Sequence, residues 1–469
     1  MMEFLSPLWN YVLPFIVILT ILVFVHEMGH YLVARRCGVK IEVFSIGFGP
    51  ELFGWNDRSG TRWKFSTIPL GGYVKMFGDA DAASSPNMDT YRLSAEERRV
   101  SFYHKSLGQR AATVFAGPFV NYLFAIVVLT ALFSTFGQPY SPPVIGTVFA
   151  HGAAAKAGLE PGDRILSVNG RPIDRFEEVL QMIALRPGEK VDMTINRSGR
   201  RRVVSLAVGK RDVRDSHGNV QVIGDLGAWR MVRPVVGRVL KHSAASRGGL
   251  EPGDRFVDID GHKIVSFQEV HRLIMDRPGK TFPIVVERHG KRVRLIVTPT
   301  VTKTKAADGT VKRTGLLGVG AAPAPRLRFD PATAAWQALR ETYAITLATG
   351  KAIGQMVSGT RTFSDLGGPL RIAEMSGHMA QSGFYAFFWF LGVLSLHLCL
   401  INLLPVPMLD GGHLLFYGFE AIRGRPLGPK AQEYGFRIGL ALVLTLMVVV
   451  TWNDLVHLRV VAFIRSLIT

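Results

Sequence analysis

Ile16-Val17-Ile18-Leu19-Thr20-Ile21-Leu22-Val23-Phe24-Val25-His26-Glu27-Met28-Gly29-His30 is an apolar run that ends in His-Glu-x-x-His. Residues four apart share one face of a helix, so His26 and His30 can offer two imidazoles to one metal ion. Glu27 then stands beside the metal, placed to take a proton from a water. Two histidines and a glutamate at the end of a membrane-type helix are costly in lipid without a partner. The stretch therefore reads as a membrane helix carrying a zinc-dependent hydrolytic site. The plainer alternative is a helix end in the interfacial zone with its polar residues wet and idle.

The remainder of the 469 residues fits a membrane setting. Mean hydropathy is +0.21 although the net charge is +19 and the pI about 10.1, a combination expected of polar domains strung between membrane segments. The basic balance is assigned to residues beside the spans and to anionic membrane lipid, and nucleic acid is not expected as a partner, since no basic helix or aromatic-basic motif occurs. The two cysteines, Cys37 and Cys399, exclude a disulfide scaffold. The only charge ahead of the first apolar run is Glu3, and the run continues into His-Glu-x-x-His, so an uncleaved anchor is expected.

Four segments read as spanning helices: about Leu8 to Ala34, Ala111 to Phe136, Phe384 to Leu404, and Ile438 to Trp452, the last needing flanking residues to reach across. Ala332 to Met356 carries Arg340, Glu341 and Lys351 and reads as an amphipathic helix on the surface or against the core. Arg35, Arg36, Lys40, Lys105 and Arg110 flank the loop after the first span, and Arg423, Arg425, Lys430 and Arg437 lie between the third and fourth. These loops are expected on the cytoplasmic side, which puts the metal motif toward that side and the long insert opposite. Ile41 to Met76 alternates and is broken by turn signals, Gly71-Gly72 among them, so it reads as one or two apolar β-hairpins dipping into the membrane interface. Their unpaired edge is one to which an extended substrate can pair; a small surface hairpin is the alternative.

The insert repeats itself. Ala157-Gly158-Leu159-Glu160-Pro161-Gly162-Asp163-Arg164 recurs 91 residues later as Gly248-Gly249-Leu250-Glu251-Pro252-Gly253-Asp254-Arg255. Asp163 and Asp254 are expected to tie their loops to backbone amides. Gly-Leu-x-Pro-Gly-Asp followed by an apolar strand and Asn-Gly or Asp-Gly resembles a PDZ domain. That resemblance implies peptide ligands added as a strand, on Val144-Ile145-Gly146-Thr147-Val148 and Val235-Val236-Gly237-Arg238-Val239. The alternative is a pair of spacers or a steric filter. The expected domains are a membrane region at 1–136 with its hairpin at 41–76, PDZ domains at 140–225 and 232–318, and an amphipathic helix with the last two spans at 319–469. The fold class is thus a polytopic α-helical membrane protein with about four transmembrane helices, a membrane-associated β-hairpin region and two inserted α/β PDZ domains.

A zinc site needs a third protein ligand and an open position. The third segment ends in Asn402-Leu403-Leu404-Pro405-Val406-Pro407-Met408-Leu409-Asp410-Gly411-Gly412-His413, where prolines and glycines break the helix around Asp410. Asp410 is favoured as the ligand, with His413 and His397 as alternatives, and Asn402 is placed to bond substrate backbone or orient a ligand. Here the chain resembles the site-2 protease family. The resemblance rests on His-Glu-x-x-His in a first membrane helix, Asn-x-x-Pro-x-x-x-x-Asp-Gly in a third, Gly117-Pro118-x-x-Asn121, the apolar hairpin and the inserted repeats. It implies Zn2+ held by His26, His30 and Asp410, Glu27 as general base, and substrate contacts from Asn402 and from the hairpin at Gly71, Gly72 and Tyr73. It also implies a multi-pass protein of the bacterial inner membrane with periplasmic PDZ domains. The expected activity is cleavage within transmembrane segments of single-span proteins already trimmed outside, such as an anti-sigma factor or remnant signal peptides. A membrane scaffold using only the repeats and a metal transporter are the rival classes. Thr298 to Pro331 carries no motif to which a role attaches.

Overall fold

The structure is a computed structural model in which residues 8–78, 93–214, 220–305, 311–358 and 367–457 are described. Two units result: a helical one up to Gly137 and from Arg328 onward, and a β-rich one of Gln138–Arg214 and Val220–Leu327.

In the helical unit, α1 (Leu13–Arg36) starts at a proline in its first turn and ends in Arg35 and Arg36, whose charges suit the negative end of the helix dipole. Gly38 follows with φ +71°, the left-handed turn that lets the chain reverse into β1 (Ile41–Asn56). β1 pairs antiparallel with β2 (Arg62–Met76), and the pair curls on itself: Phe44 sits beside both Val74 and Trp63, and Ile46 beside both Gly72 and Phe65. The stretch is thus a single curled hairpin, the lower of the one or two expected. Asp57 fixes its tip, accepting bonds from Tyr31 Oη of α1 (2.9 Å), Trp63 Nε1 (3.2 Å) and the amides of Ser59 and Thr61.

A capping box at Ser106 and Gln109 opens α2 (Leu107–Thr135). α1 and α2 meet so closely that a Cβ on Gly29 would lie 2.4 Å from the Ala116 carbonyl oxygen. Of the later helices, α5 (Pro331–Val357) lays Ala334 and Ala338 against Leu129, Leu132 and Phe133 of α2. α6 (Pro369–Gln381) is followed by α7 (Phe384–Asn402), which ends ahead of Pro405 and Pro407. The last two are α8 (Asp410–Arg423) and α9 (Pro429–His457). Among the described residues four helices are long and apolar enough to cross a membrane: Trp9–Arg36, Leu107–Thr135, Phe384–Asn402 and Lys430–Leu455. The fourth is longer than the sequence reading gave it. Near its end the buried Asp454 carboxylate accepts the Gly368 and Arg371 amides (3.0 and 3.1 Å), capping α6 from a neighbouring helix.

The β-rich unit holds the two repeats, each element recurring 91 residues on. In the first, β3 (Ile145–Val148), β4 (Arg164–Val168), β5 (Arg171–Pro172), α3 (Phe176–Ala184), β6 (Lys190–Arg197), β7 (Arg200–Ala207), β8 (Gly209–Arg214), β9 (Val220–Asp225) and β10 (Ala228–Arg230) follow in order. The second runs through β11 (Val236–Val239), β12 (Arg255–Ile259), β13 (His262–Lys263), α4 (Phe267–Met275), β14 (Phe282–Arg288), β15 (Lys291–Val297), β16 (Thr300–Lys305), β17 (Val311–Leu316) and β18 (Val319–Ala321). Each repeat encloses its own core, around Phe176 in one and Phe256 in the other.

The strands expected to receive peptide are not free. β3 pairs with β10 along one edge, and on the other Ile145 exchanges backbone bonds with Gly162 and Asp163; β11 is flanked in the same way by β18 and by Gly253 and Asp254. β10 and β18 arrive from the far end of each repeat, a closure that local sequence does not announce. Among the described residues β10 pairs with β3 alone and β18 with β11 alone, so each leaves one edge unpaired, as do the outer strands β5, β7, β13 and β15 of the two four-stranded sheets.

Asp163 Oδ2 accepts the Glu160 amide and Asp254 Oδ2 the Glu251 amide, as the turn chemistry requires, but each also meets an unforeseen arginine. Arg288 bonds both carboxylate oxygens of Asp254 (2.7 and 2.8 Å), Glu251 Oε1 (2.7 Å) and the Gly249 carbonyl (2.7 Å), and Arg197 does the same in the first repeat. Burial alone pushes Asp254 up, but the Arg288 guanidinium and the Glu251 amide outweigh it and hold the carboxyl below its ordinary value. That contribution is complete above the unfolded chain's carboxyl pKa and is lost as pH falls through the lowered native one. Arg288→Ala is expected to cost the second repeat on the order of 3 kcal/mol at neutral pH by stranding a buried carboxylate. The variant should lose less stability on acidification than wild type; hydrogen exchange of the repeat within the full chain reads both.

Candidate active site

His26 and His30 stand one turn apart on α1, their Nε2 atoms 3.2 Å from each other. Asp410, in the first turn of α8, brings Oδ2 to 3.2 Å from His26 Nε2 and Oδ1 to 3.6 Å from His30 Nε2. Ligand atoms of these three residues lie within 4.8 Å of one another, the one such set of three or more among the described residues. Asp410 Oδ2 is buried and has no hydrogen-bond partner outside this trio. Two imidazole nitrogens and an orphaned carboxylate oxygen converging on one point form the donor set that zinc takes, with room left for a fourth ligand.

Local backbone explains how Asp410 arrives. Pro405 and Pro407 forbid continuation of α7, and the chain returns over the start of α8 with Met408 at φ +89°. A Cβ on Gly411 would lie 2.2 Å from the Leu404 carbonyl oxygen, and one on Gly412 2.4 Å from that of Val406. The paired glycines are therefore what lets the loop lie against the helix that presents Asp410. The other end of α8 is held by Glu420, which takes a two-pronged ion pair from Arg110 of α2 (2.5 and 3.1 Å).

Glu27 lines the same cavity of about 200 Å3, together with Gly72, Tyr73, Asn402 and His413. The Val74 backbone amide bonds its carboxylate, so β2 runs directly past it. A Cβ on Gly72 would lie 2.6 Å from the Ser45 carbonyl oxygen and 2.8 Å from Val23, so β2 comes this near to α1 only with glycine there. Tyr73 stacks on Phe48 (6.0 Å between ring centres). Gly71 does not line the cavity: it has φ +113°, and its face is covered by the Phe48 ring. Of the rival ligands, His397 bonds Thr349 Oγ1 (3.2 Å) away from the cavity, and His413 lines the cavity with its ring against Phe436 (5.3 Å).

One face of α2 completes the surroundings. The Thr113 carbonyl accepts from His30 Nδ1 (2.9 Å), a bond that fixes the tautomer leaving Nε2 free for a metal. A Cβ on Gly117 would lie 2.3 Å from His30 Nε2 and 2.9 Å from His26 Cε1. Asn121 Nδ2 lies 3.1 Å from His26 Nδ1. Sequence reading noted Gly117 and Asn121 without assigning them contacts, and a backbone carbonyl such as that of Thr113 leaves no trace in sequence.

The sequence profile of peptidase family M50 matches residues 14–446. A protein of Agrobacterium fabrum named as a zinc metalloprotease is 38% identical over 449 residues, 96% of this chain and 96% of its own. The regulator of sigma-E protease RseP of Salmonella typhimurium is 35% identical over 461 residues, 96% of this chain and 99% of its own. Among solved structures, the PDZ domain of an SdrC-like protein from Listeria monocytogenes is 24% identical, covering 19% of this chain and 84% of its own, with a TM-score of 0.15.

Proposed function

This chain belongs to peptidase family M50 and is a zinc metalloprotease, and from that premise we propose that it cuts single-span membrane proteins within their transmembrane segments. The observation that carries the reading is the convergence of His26, His30 and Asp410 beside Glu27 in a cavity bordered by β2. In this reading His26, His30 and Asp410 hold the zinc, which when bound supplies Lewis acidity to the scissile carbonyl and to the attacking water. Glu27 takes the proton from that water as it adds to the carbonyl carbon. The same carboxyl returns the proton to the amide nitrogen as the C–N bond breaks.

A helical substrate hides its carbonyls in its own i to i+4 bonds, so it must be drawn out before it can be cut. We assign this to the edge of β2 at Gly72, with Tyr73 and Asn402 as neighbouring substrate contacts and Gly71 as the bend that seats Phe48. Phe48, Leu52, Phe53, Trp55 and Ile68 are all 40% exposed or more, which suits a hairpin dipping into the membrane interface. The same reading places the chain in a bacterial inner membrane, the site toward the cytoplasm and the two PDZ-like repeats in the periplasm. The edges of β10 and β18 are then where peptide would add.

The expected substrates are proteins already trimmed outside, an anti-sigma factor or a remnant signal peptide, with the repeats barring those that still carry a bulky outer domain. Deletion of residues 140–318 is expected to leave cleavage of a trimmed single-span peptide within a few-fold of wild type while admitting an untrimmed one. Unchanged discrimination in the deletion would remove the filter from the account.

A further inference from the structure

We propose that Asn121 is a positioning residue for the zinc ligand His26, setting by its side-chain amide which ring nitrogen of His26 carries the proton. The inference rests on the zinc site proposed above and extends it to α2. Asn121 is fully buried, and its Oδ1 has no hydrogen-bond partner while Nδ2 lies 3.1 Å from His26 Nδ1. Donation from Nδ2 to Nδ1 requires the ring proton to sit on Nε2, facing Asp410 Oδ2 at 3.2 Å. A half-turn of the amide, which alters neither its shape nor its packing, sets Oδ1 against Nδ1. The ring proton then lies on Nδ1, donated to Asn121, and the Nε2 lone pair is free to bind metal. An amide serves both tautomers; a carboxylate would serve only the metal-binding one.

Thr113, Gly117 and Asn121 follow one another at intervals of four along α2 and share a face. The first supplies the acceptor for His30 Nδ1, the second leaves room for both rings, and the third addresses His26 Nδ1. Pro118, next to Gly117 on the same helix, removes the donor that would bond the Val114 carbonyl. Ser395 of α7 bonds the Asn121 carbonyl oxygen (2.9 Å), fixing the backbone from which the amide turns.

The test is zinc affinity of the full chain in detergent, read by competition with a chromophoric chelator and checked by the absorption spectrum of the cobalt-substituted protein. Asn121→Leu keeps the volume and removes the acceptor, and is expected to lower affinity by about 10–100-fold, the usual cost of losing an outer partner of a histidine ligand. Asn121→Asp keeps the acceptor and is expected to stay within a few-fold of wild type with an unaltered cobalt spectrum. Were Asn121 only a packing residue, the order would reverse, because a buried carboxylate is costlier than leucine. Leucine equal to or better than aspartate therefore overturns the proposal, and where leucine fails to fold, loss of zinc from Asn121→Asp does so alone. His30→Phe separates the two readings: if it binds zinc as tightly as wild type, the site itself is misplaced, whereas its loss of zinc beside an insensitive Asn121→Leu refutes only the role of Asn121.

Discussion

Replacing Glu27 by glutamine is expected to slow peptide cleavage by about 10²–10⁴-fold while zinc stays bound. Glutamine keeps the shape of the side chain and can still meet the Val74 amide through its carbonyl, so β2 should not move. What it loses is the ability to take a proton from water. Glu27 is also outside the set of His26, His30 and Asp410 whose ligand atoms converge, so the metal has no reason to leave. Parallel assays of bound zinc and of cleavage of a tagged single-span peptide distinguish the cases. Loss of both would make Glu27 part of the metal site, and unchanged cleavage would place the base elsewhere in the cavity.

Asp410→Ala is expected to act at the earlier step and empty the site. Its two oxygens face His26 and His30 at 3.2 and 3.6 Å, and Oδ2 is buried with no other partner. Alanine leaves two ligands where zinc takes three and a water, so affinity should fall by more than the roughly 10–100-fold that an outer-shell partner costs. Cleavage should fall with it. The fold should persist, because the glycines that follow and the Arg110–Glu420 pair hold α8 without help from Asp410. Zinc analysis of the purified variant, with thermal unfolding as the control, measures this; full zinc occupancy would return the third ligand to His413.

Much of this architecture can be read from the chain because its signals are local. His26, Glu27 and His30 share one helix, so their spacing alone brings them together. Asp410 is marked by the prolines and glycines around it, which break a membrane helix where a break is costly. The two repeats are visible because Gly-Leu-Glu-Pro-Gly-Asp returns in register. What stayed hidden is what depends on pairing across the chain. β10 and β18 close onto β3 and β11 from the far end of each repeat, and thereby occupy the strands that the sequence offered as peptide receivers. Arg197 and Arg288 lie 34 residues from the aspartates they hold. Asp454 caps a helix 83 to 86 residues upstream. The face of α2 eluded sequence reading for a different reason: Thr113 acts through its backbone, and Gly117 through the absence of a side chain.

Whether the scissile bond lies inside a transmembrane segment is read from intact-mass analysis of the products. Purified wild-type protein would be given a single-span substrate without an outer domain, in detergent or bilayer, with Glu27→Gln as the control. Two fragments are expected, their masses summing to substrate plus one water, with the cut inside the apolar span and absent from the variant. A cut confined to the soluble flanks, or the same fragments from Glu27→Gln, would contradict the proposed intramembrane cleavage.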